Sequence, residues 1–464
     1  MLKFFKNLWF REGGYRELLV TAFPLILSTA SWSVLQFIDR VFLTWYSADA
    51  VAASMPAGIL NFTLTTLFLG TASYSGTFVA QYFGAERFHK IGETIWHGIY
   101  ISIIGALIIF FIGFISDPIF HIIGHGAELE KLESVYFKIL CFGSICPIVS
   151  SVFAGFYSGR GQNKPVMWIN FISLGLNTFF DYILIFGKLG FPEMGIKGAA
   201  IATVISGAVP ILIYGYFIFG PKHNAKYKTF SSFKFNRELF GRMLKFGLPN
   251  GIHFFIETAG FTAFLLILGR LGTIELAATN IAFNINTIAF MPMIGIGIAI
   301  SMLTGQNIGR DRIDIAERFI WQGFHICFTY MGLIALTYYF LPNIYIYPFE
   351  VNADQADFIQ IKTFTIVLLK FVAIYSIFDT LNLVFASAIK GAGDTRFVMI
   401  LGILLSLFLL VIPAYIVLII MERGLYAAWL IASIYVSILG LSYLIRFLTG
   451  KWKTMKVIEQ SYIL

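Results

Sequence analysis

Four carboxylic acids lie well inside segments of the sequence that are otherwise apolar. They are Asp39, Asp181, Glu257 and Asp379, two in each half of the chain. A charged side chain near the centre of a lipid bilayer costs about 2.5–3.5 kcal/mol even on the more lenient insertion scale, so an ionisable residue there is a functional candidate by default. These four acids are the first candidates for the chemistry of this protein.

Three of the acids have a polar neighbour one helical turn earlier. Residues four positions apart face the same side of a helix, so each pair presents its polar groups together. An amide or phenol oxygen beside a carboxylate supplies ligands for a dehydrated hard cation. Alternatively, such neighbours adjust the proton affinity of a buried acid. The pairs are Asn177 with Asp181, His253 with Glu257 and Tyr375 with Asp379.

The same residues also have structural interpretations. Asp39 precedes Arg40, so the two could form a neutral ion pair, although neighbours on a helix point about 100° apart. Asp181 is in the outer third of its apolar segment and could be interfacial. The other two acids have no lysine or arginine at helical spacing. His253 could be a packed, hydrogen-bonded histidine rather than a residue that modulates the pKa of Glu257.

The composition predicts a membrane protein. Of 464 residues, 58% are hydrophobic and only 12% are charged, against about a quarter charged in a soluble protein. A helix needs about 20 apolar residues to cross about 30 Å of hydrocarbon. The predicted spans are 17–45, 51–82, 94–116, 134–158, 165–187, 198–220, 243–270, 276–307, 316–341, 359–389, 397–420 and 425–448.

The apolar segments favour an all-α bundle over a β-barrel. Barrel strands alternate in polarity over about 10 residues, whereas the runs at 101–115 and 400–412 are continuously apolar. The first apolar segment is too long for a cleavable signal peptide. The three cysteines all fall in predicted spans, which favours apolar packing over disulfides or a metal site. They are Cys141, Cys146 and Cys327.

The basic residues predict the orientation in the membrane. The net charge is +8, and most of the basic residues fall on one side when the connections are assigned alternately to the two faces. Such a bias follows the positive-inside rule. We therefore predict a multi-pass protein of a bacterial-type inner membrane with both termini in the cytoplasm. The charge serves topology, so nucleic acid is not an expected partner.

The two halves of the sequence are related. A shift of 225 residues pairs Pro24 with Pro249 and Asn61 with Asn286, and a shift of 232 extends the pairing to the last third of the chain. Internal duplication is typical of transporters whose halves rock around a central site. The predicted parts are an N-terminal segment 1–16, an N-lobe 17–220, a basic linker 221–242, a C-lobe 243–449 and a tail 450–464.

Other features refine the transporter prediction. Pro24 and Pro249 each interrupt a predicted span and can bend it during a conformational change. No phosphate-binding Gly-x-x-x-x-Gly-Lys-Ser/Thr motif is present in the sequence, and no His-Glu-x-x-His motif supports the alternative of a membrane enzyme. Methionines of the eighth span could line an adaptable cavity for flat apolar cations. They are Met291, Met293 and Met302.

The chain resembles the multidrug and toxic compound extrusion (MATE) family over essentially its whole length. No single motif is specific for the family, but the order in which the motifs occur in both halves is specific. The matching residues are Ala22-Phe23-Pro24 with Asp39, Val79-Ala80-Gln81-x-x-Gly84-Ala85, Asn177-x-x-x-Asp181-Tyr182, Gly195-x-x-Gly198-Ala199-Ala200-x-Ala202-Thr203, Phe246-Gly247-Leu248-Pro249 with Glu257, Gly305-Gln306-x-x-Gly309 and Gly391-Ala392-Gly393-Asp394-Thr395.

The resemblance implies twelve helices in two six-helix lobes around a central cleft. It implies a monomeric antiporter that needs no cofactor and exports cationic or amphipathic organic compounds in exchange for Na⁺ or H⁺. A flippase for lipid-linked saccharides of the same superfamily is the alternative. The N-lobe cation site of the family would map to Asp39, Asn177, Asp181 and Thr203, and the C-lobe site of the NorM-like branch would map to Glu257, Tyr375 and Asp379. His253 and Arg40 depart from the family pattern, so the coupling ion stays open.

Overall fold

The computed structural model describes residues 9–350 and 355–459. Within these ranges the chain is almost entirely helical and has no β-strand, and twelve helices are long and apolar enough to cross a membrane. The predicted all-α polytopic fold is confirmed. The helices are α1 Tyr15–Tyr46, α2 Ala48–Gly84, α3 His89–Gly113, α4 Ala127–Ser158, α5 Lys164–Phe186, α6 Ile196–Ile218, α7 Arg237–Leu268, α8 Thr273–Gly309, α9 Ile313–Phe340, α10 Gln355–Ala392, α11 Thr395–Ile420 and α12 Leu425–Leu448.

Several helices extend beyond their predicted spans because hydropathy identifies only the part that crosses lipid. Helix α4 begins at Ala127, and its first turns carry Glu128 and Glu130. Helix α7 begins at Arg237 rather than at residue 243. The carboxamide oxygen of Asn236 accepts hydrogen bonds from the backbone N–H groups of residues 238 and 239, which is the usual way to cap a helix N-terminus.

Some membrane helices are interrupted. Helix α2 breaks at Tyr74 and α4 breaks at residues 143–144. Helix α11 contains two π-helical segments, Ser406–Val411 and Ile416–Ile420. Pro24 and Pro249 lie inside α1 and α7, as predicted. Because proline lacks a backbone N–H, each removes one intrahelical hydrogen bond.

The chain forms two compact units. The first contains residues 9–26, 256–304 and 312–455, and the second contains 27–255, 305–311 and 456–459 among the described residues. Helices α1 and α7 therefore each begin in one unit and end in the other, and each changes unit a few residues after its proline. The lobe boundaries that the sequence suggested stay a prediction.

Close packing of α5 against α6 fixes the position of one candidate acid. A Cβ atom at Gly198 would lie 2.5 Å from the backbone oxygen of Leu184, so only glycine permits this approach. Small residues at such contacts let membrane helices pack backbone to backbone. Leu184 is three positions after Asp181, so the contact holds the helical turn that carries this acid.

Candidate functional site

Helices α1 and α5 bring two of the predicted acids together. The carboxyl groups of Asp39 and Asp181 interact electrostatically. Asp181 and Asn177 are fully buried, and Asp39 is 8% exposed. The pair predicted on α5 and the acid predicted on α1 therefore form one cluster.

The cluster has unused hydrogen-bonding capacity. One oxygen of Asp39, both oxygens of Asp181 and both polar atoms of the Asn177 amide are buried without a hydrogen-bond partner among residues 9–350 and 355–459. A buried polar group left unpaired costs about 1–3 kcal/mol, and more when it is charged. Oxygen ligands in this number suit a small hard cation, and the paired carboxyls equally suit a proton.

One member of this cluster was not predicted from the sequence. Tyr136 of α4 is 8% exposed, and the charges of both Asp39 and Asp181 act on its hydroxyl group. It was missed because it comes from a third helix and has no helical spacing to either acid. We call Asp39, Tyr136, Asn177 and Asp181 the N-terminal acid cluster.

The structural alternatives for this cluster find little support. Arg40 is exposed whereas Asp39 is buried, so the two side chains point apart, although the charge of Arg40 still acts on the acid. Asp181 is fully buried within the protein, and its depth relative to the membrane surface stays a prediction. The hydroxyl group of Thr203 donates to the carbonyl oxygen of Ala199 in its own helix. The role of Thr203 in the site stays a prediction.

A second cluster forms between α7, α8 and α10. The carboxyl groups of Glu257 and Asp379 interact electrostatically, and the charge of Asp379 also acts on Tyr375. The Asn382 amide donates to Oδ1 of Asp379 over 3.0 Å. The predicted C-lobe residues are therefore neighbours.

Two further residues complete this cluster. The Asn286 amide of α8 donates to the Tyr375 hydroxyl over 3.3 Å, and its own carbonyl oxygen is buried without a partner in the described ranges. The sequence repeat pairs Asn286 with Asn61, but the repeat did not assign it to the site. We call Glu257, Asn286, Tyr375, Asp379 and Asn382 the C-terminal acid cluster.

A lysine distinguishes the second cluster from the first. Lys390 lies three turns beyond Asp379 on α10, and its charge acts on Glu257. The sequence did not suggest Lys390, because it is three turns away from Asp379 and because Glu257 is on another helix. The Glu257 side chain is exposed; the charge of Lys390 on α10 acts on it, and its own charge acts on Asp379 of α10 and on Tyr435 of α12.

The remaining predicted residues lie around these two clusters. His253 is 7% exposed and belongs to the second unit, whereas Glu257 belongs to the first, so the proposed modulation stays a prediction. Met293 is fully buried and its sulfur atom accepts from Thr380 over 3.8 Å. It packs in the core of its unit. A cavity lined by Met291, Met293 and Met302 stays a prediction.

The fold and the two acid clusters define a polytopic α-helical membrane protein with ionisable residues in its interior. Comparison with known families identifies which one. The family model MatE matches residues 24–183 and 249–417, so the chain belongs to the MATE family of membrane transporters. The predicted resemblance is confirmed, and the class is a transporter rather than an enzyme.

Relatives and solved structures agree with this assignment. The chain is 26% identical over 453 residues to a probable multidrug resistance protein NorM of Thermotoga maritima, covering 97% of this chain and 95% of that protein. It is 27% identical over 409 residues to a protein of the same name from Oceanobacillus iheyensis, covering 85% and 87%.

Two solved structures share the fold. An outward-facing multidrug resistance MATE family transporter of the MOP superfamily superposes with a TM-score of 0.86 at 20% identity, over 97% of this chain and 98% of that chain. A MOP superfamily transporter from Pyrococcus furiosus, whose reversed binding-pocket polarity suggests a different function, superposes with a TM-score of 0.85 at 20% identity over the same shares.

Proposed function

We propose that this protein is a secondary active antiporter that exports cationic or amphipathic organic compounds in exchange for Na⁺ or H⁺. The observation that carries the proposal is the N-terminal acid cluster, in which one oxygen of Asp39, both oxygens of Asp181 and the side-chain oxygen of Asn177 are buried without a hydrogen-bond partner in the described chain. Two acids that interact in a buried place need a positive species between them. The NorM proteins that the chain resembles are named for multidrug resistance.

The acids would alternate between two kinds of cation. When the site faces outward, Na⁺ or H⁺ enters the N-terminal acid cluster, neutralises negative charge and weakens the attraction for an organic cation, which leaves. When the site faces inward, the ion departs and the uncompensated carboxylates attract the next substrate. The bends at Pro24 and Pro249 would accompany this change.

The membrane potential can drive the exchange. Moving one charge across 100 mV releases about 2.3 kcal/mol. That energy supports a concentration ratio of roughly 50, because about 1.4 kcal/mol corresponds to a factor of ten. A few coupling ions per cycle therefore suffice for export against a steep gradient without ATP. In this scheme the protein is a monomer in a bacterial-type inner membrane, with both termini in the cytoplasm.

The N-terminal acid cluster is the better candidate for the primary coupling site. Both its acids are buried, and Arg40, whose charge acts on Asp39, is exposed. In the C-terminal acid cluster Lys390 already offsets one of the two negative charges. A bound cation therefore relieves more unfavourable energy in the first cluster than in the second.

Transport by the purified protein in liposomes tests the function. Efflux of a fluorescent organic cation is measured first with a Na⁺ gradient at constant pH and then with a pH gradient without Na⁺. We expect one gradient to drive efflux and Asp181→Asn to abolish it. The matched control is Asp49→Asn, because Asp49 is exposed at the first turn of α2 in the same unit.

Three results would count against the proposal. Normal coupled efflux by Asp181→Asn removes the cluster from the mechanism. Absence of efflux under both gradients, with intact liposomes, removes the antiporter. Movement of a labelled saccharide-lipid between leaflets, without dye efflux, establishes the flippase instead.

A further inference from the structure

The segment after the last membrane helix is built into the helical core. Residues Lys456–Glu459, which we call the tail strap, belong to the second unit, although α12 belongs to the first. Val457 is fully buried and Ile458 is 5% exposed. They pack in one hydrophobic cluster with Val79 of α2 and Leu239 of α7. A solvated tail would not bury two aliphatic side chains.

Hydrogen bonds fix the backbone of the strap. The N–H of Val457 donates to the Gln81 side-chain oxygen over 2.8 Å, and the carbonyl oxygen of Val457 accepts from the Arg242 guanidinium. Gln81 is in the last turns of α2 and Arg242 is in the second turn of α7. The strap therefore joins the adjacent ends of two membrane helices that come from different halves of the sequence.

Glu459 strengthens this connection. Its carboxylate accepts from the Tyr82 hydroxyl over 2.8 Å and from Arg242 over 2.5 Å. Arg87 pairs with the other carboxylate oxygen at 3.3 Å and donates to the backbone oxygen of Glu459 over 3.0 Å. One residue of the strap thus binds three side chains from α2, the turn after α2, and α7.

The ionisation of Glu459 keeps the strap closed at ordinary pH. Partial burial alone would raise its pKa, but hydrogen bonds from its own backbone, from Arg242 and from Tyr82, together with the charge of Arg242, lower the pKa to about 2. The carboxylate is therefore charged throughout the physiological range. Acidification within the physiological range therefore leaves Glu459 charged and does not open the strap.

The repeat offers an internal comparison. Arg312 is the residue that pairs with Arg87 under the shift of 225, and it pairs with Glu12 at 3.4 Å. The Arg312 and Glu12 side chains are 48% and 65% exposed, against 20% and 36% for Arg87 and Glu459. The more buried pair also has Tyr82 and Arg242 as partners. Of these two arginines, Arg87 therefore belongs to the more buried network in the described chain.

We infer that the tail strap is a latch that holds the linker-side ends of α2 and α7 together in the state described here, and that it releases once in each transport cycle. This inference rests on the proposed function and on the predicted lobes, because α2 belongs to the predicted N-lobe and α7 to the predicted C-lobe, and rocking of one lobe against the other would separate their ends. On the predicted topology this is the cytoplasmic face. Closure then favours the state whose site is shut on that face.

Cysteine labelling tests the latch without a transport measurement. A thiol is placed by Val457→Cys in a background in which the native cysteines, which are buried, are replaced. We expect slow reaction with a water-soluble maleimide and about tenfold faster reaction when Glu459→Gln is added. Loss of a hydrogen bond to a charged group changes an equilibrium by about tenfold or more. We take the lower value because the ion pairs of Glu459 are partly exposed and are screened by solvent. Glu12→Gln is the matched control.

Cross-linking tests whether release is required. The Glu459 carboxylate and the Arg242 guanidinium are 2.5 Å apart, so a short bifunctional maleimide can join the two thiols of the double variant Glu459→Cys and Arg242→Cys, which ties the strap to α7. We expect the cross-linked double variant to lose gradient-driven efflux, while each single variant treated with the reagent keeps it.

The outcomes separate the latch from the antiporter. Equal labelling of Val457→Cys with and without Glu459→Gln overturns the latch, and so does full efflux by the cross-linked protein. If no variant, including the wild type, shows efflux but labelling depends on Glu459, then the proposed function fails while the closed strap stands.

Discussion

Replacing Asp181 by asparagine separates ion binding from folding. The substitution keeps the shape of the side chain and removes one negative charge from the N-terminal acid cluster. Both carboxylate oxygens of Asp181 are buried without a partner in the described ranges, so no existing hydrogen bond is lost. The new amide can donate to the unpartnered Oδ1 of Asp39. We therefore expect Asp181→Asn to fold and to be at least as stable as the wild type without ions.

Ion binding, by contrast, should be weakened by Asp181→Asn. A hydrogen bond or ligand contact to a charged group contributes about 1.5–3 kcal/mol, which corresponds to a roughly 10- to 150-fold loss of affinity. A ligand stabilises a protein according to the ratio of its concentration to its dissociation constant. An ion concentration that clearly stabilises the wild type should therefore leave Asp181→Asn almost unchanged.

Thermal unfolding of the purified protein measures both effects. The midpoint is recorded with and without Na⁺ at fixed pH, and then over a pH series without Na⁺, for the wild type, Asp181→Asn and Asp49→Asn. The control should respond as the wild type does. The reasoning is refuted if Asp181→Asn keeps the wild-type response to both ions, or if it is markedly less stable without them.

Three further predictions concern packing, the second cluster and the strap. Gly198→Ala should destabilise the protein in chemical unfolding by about 1–3 kcal/mol through overpacking. Gly175→Ala, where a Cβ meets nothing within 4 Å, should be neutral or stabilising. Equal effects of the two substitutions would contradict the close approach of α5 and α6. Asn286→Leu should lower coupled efflux and leave ion binding by the N-terminal acid cluster intact, as measured by the shift of the thermal unfolding midpoint with added ions. Folding lowers the Glu459 pKa from 4.5 to about 2. The ionised carboxylate therefore stabilises the fold at pH values above 4.5, and this contribution is lost as the pH falls through 2. Glu459→Gln should unfold more easily than the wild type at neutral pH, and the two stabilities should converge in acid.

The sequence predicted features that depend on local spacing and missed those that depend on other helices. Hydropathy identifies α1 to α12, and spacing of four residues places Asn177 beside Asp181. Tyr136 interacts with acids on two other helices, and Lys390 acts on an acid of α7; the periodicity of a single helix does not indicate such neighbours. The start of α7 was missed because Asn236 caps a polar turn outside the apolar segment. Helix existence is a local property, whereas membership of a site is a tertiary one.

The duplication preserves the scaffold but not the acids. Under the shift of 225, Asp39 corresponds to Phe264 and Glu257 to Trp32, and under the shift of 232, Lys390 corresponds to Ser158. The two clusters are therefore unrelated by the repeat, although each half carries two acids. Beside the C-terminal acid cluster, the charge of Lys390 acts on Glu257.

This asymmetry predicts unequal ion affinities. Because Lys390 offsets negative charge only in the C-terminal acid cluster, Asp379→Asn should keep most of the ion-dependent stabilisation that Asp181→Asn loses. Lys390→Ser introduces the serine found at the corresponding position, Ser158, of the other half. In the Asp181→Asn background it should increase the ion-dependent stabilisation, because it removes the positive charge that acts on Glu257. Ion titrations of the single and double variants by thermal unfolding measure this order. Equal losses in Asp181→Asn and Asp379→Asn, or no gain from Lys390→Ser, would show that charge balance does not set the preference between the clusters.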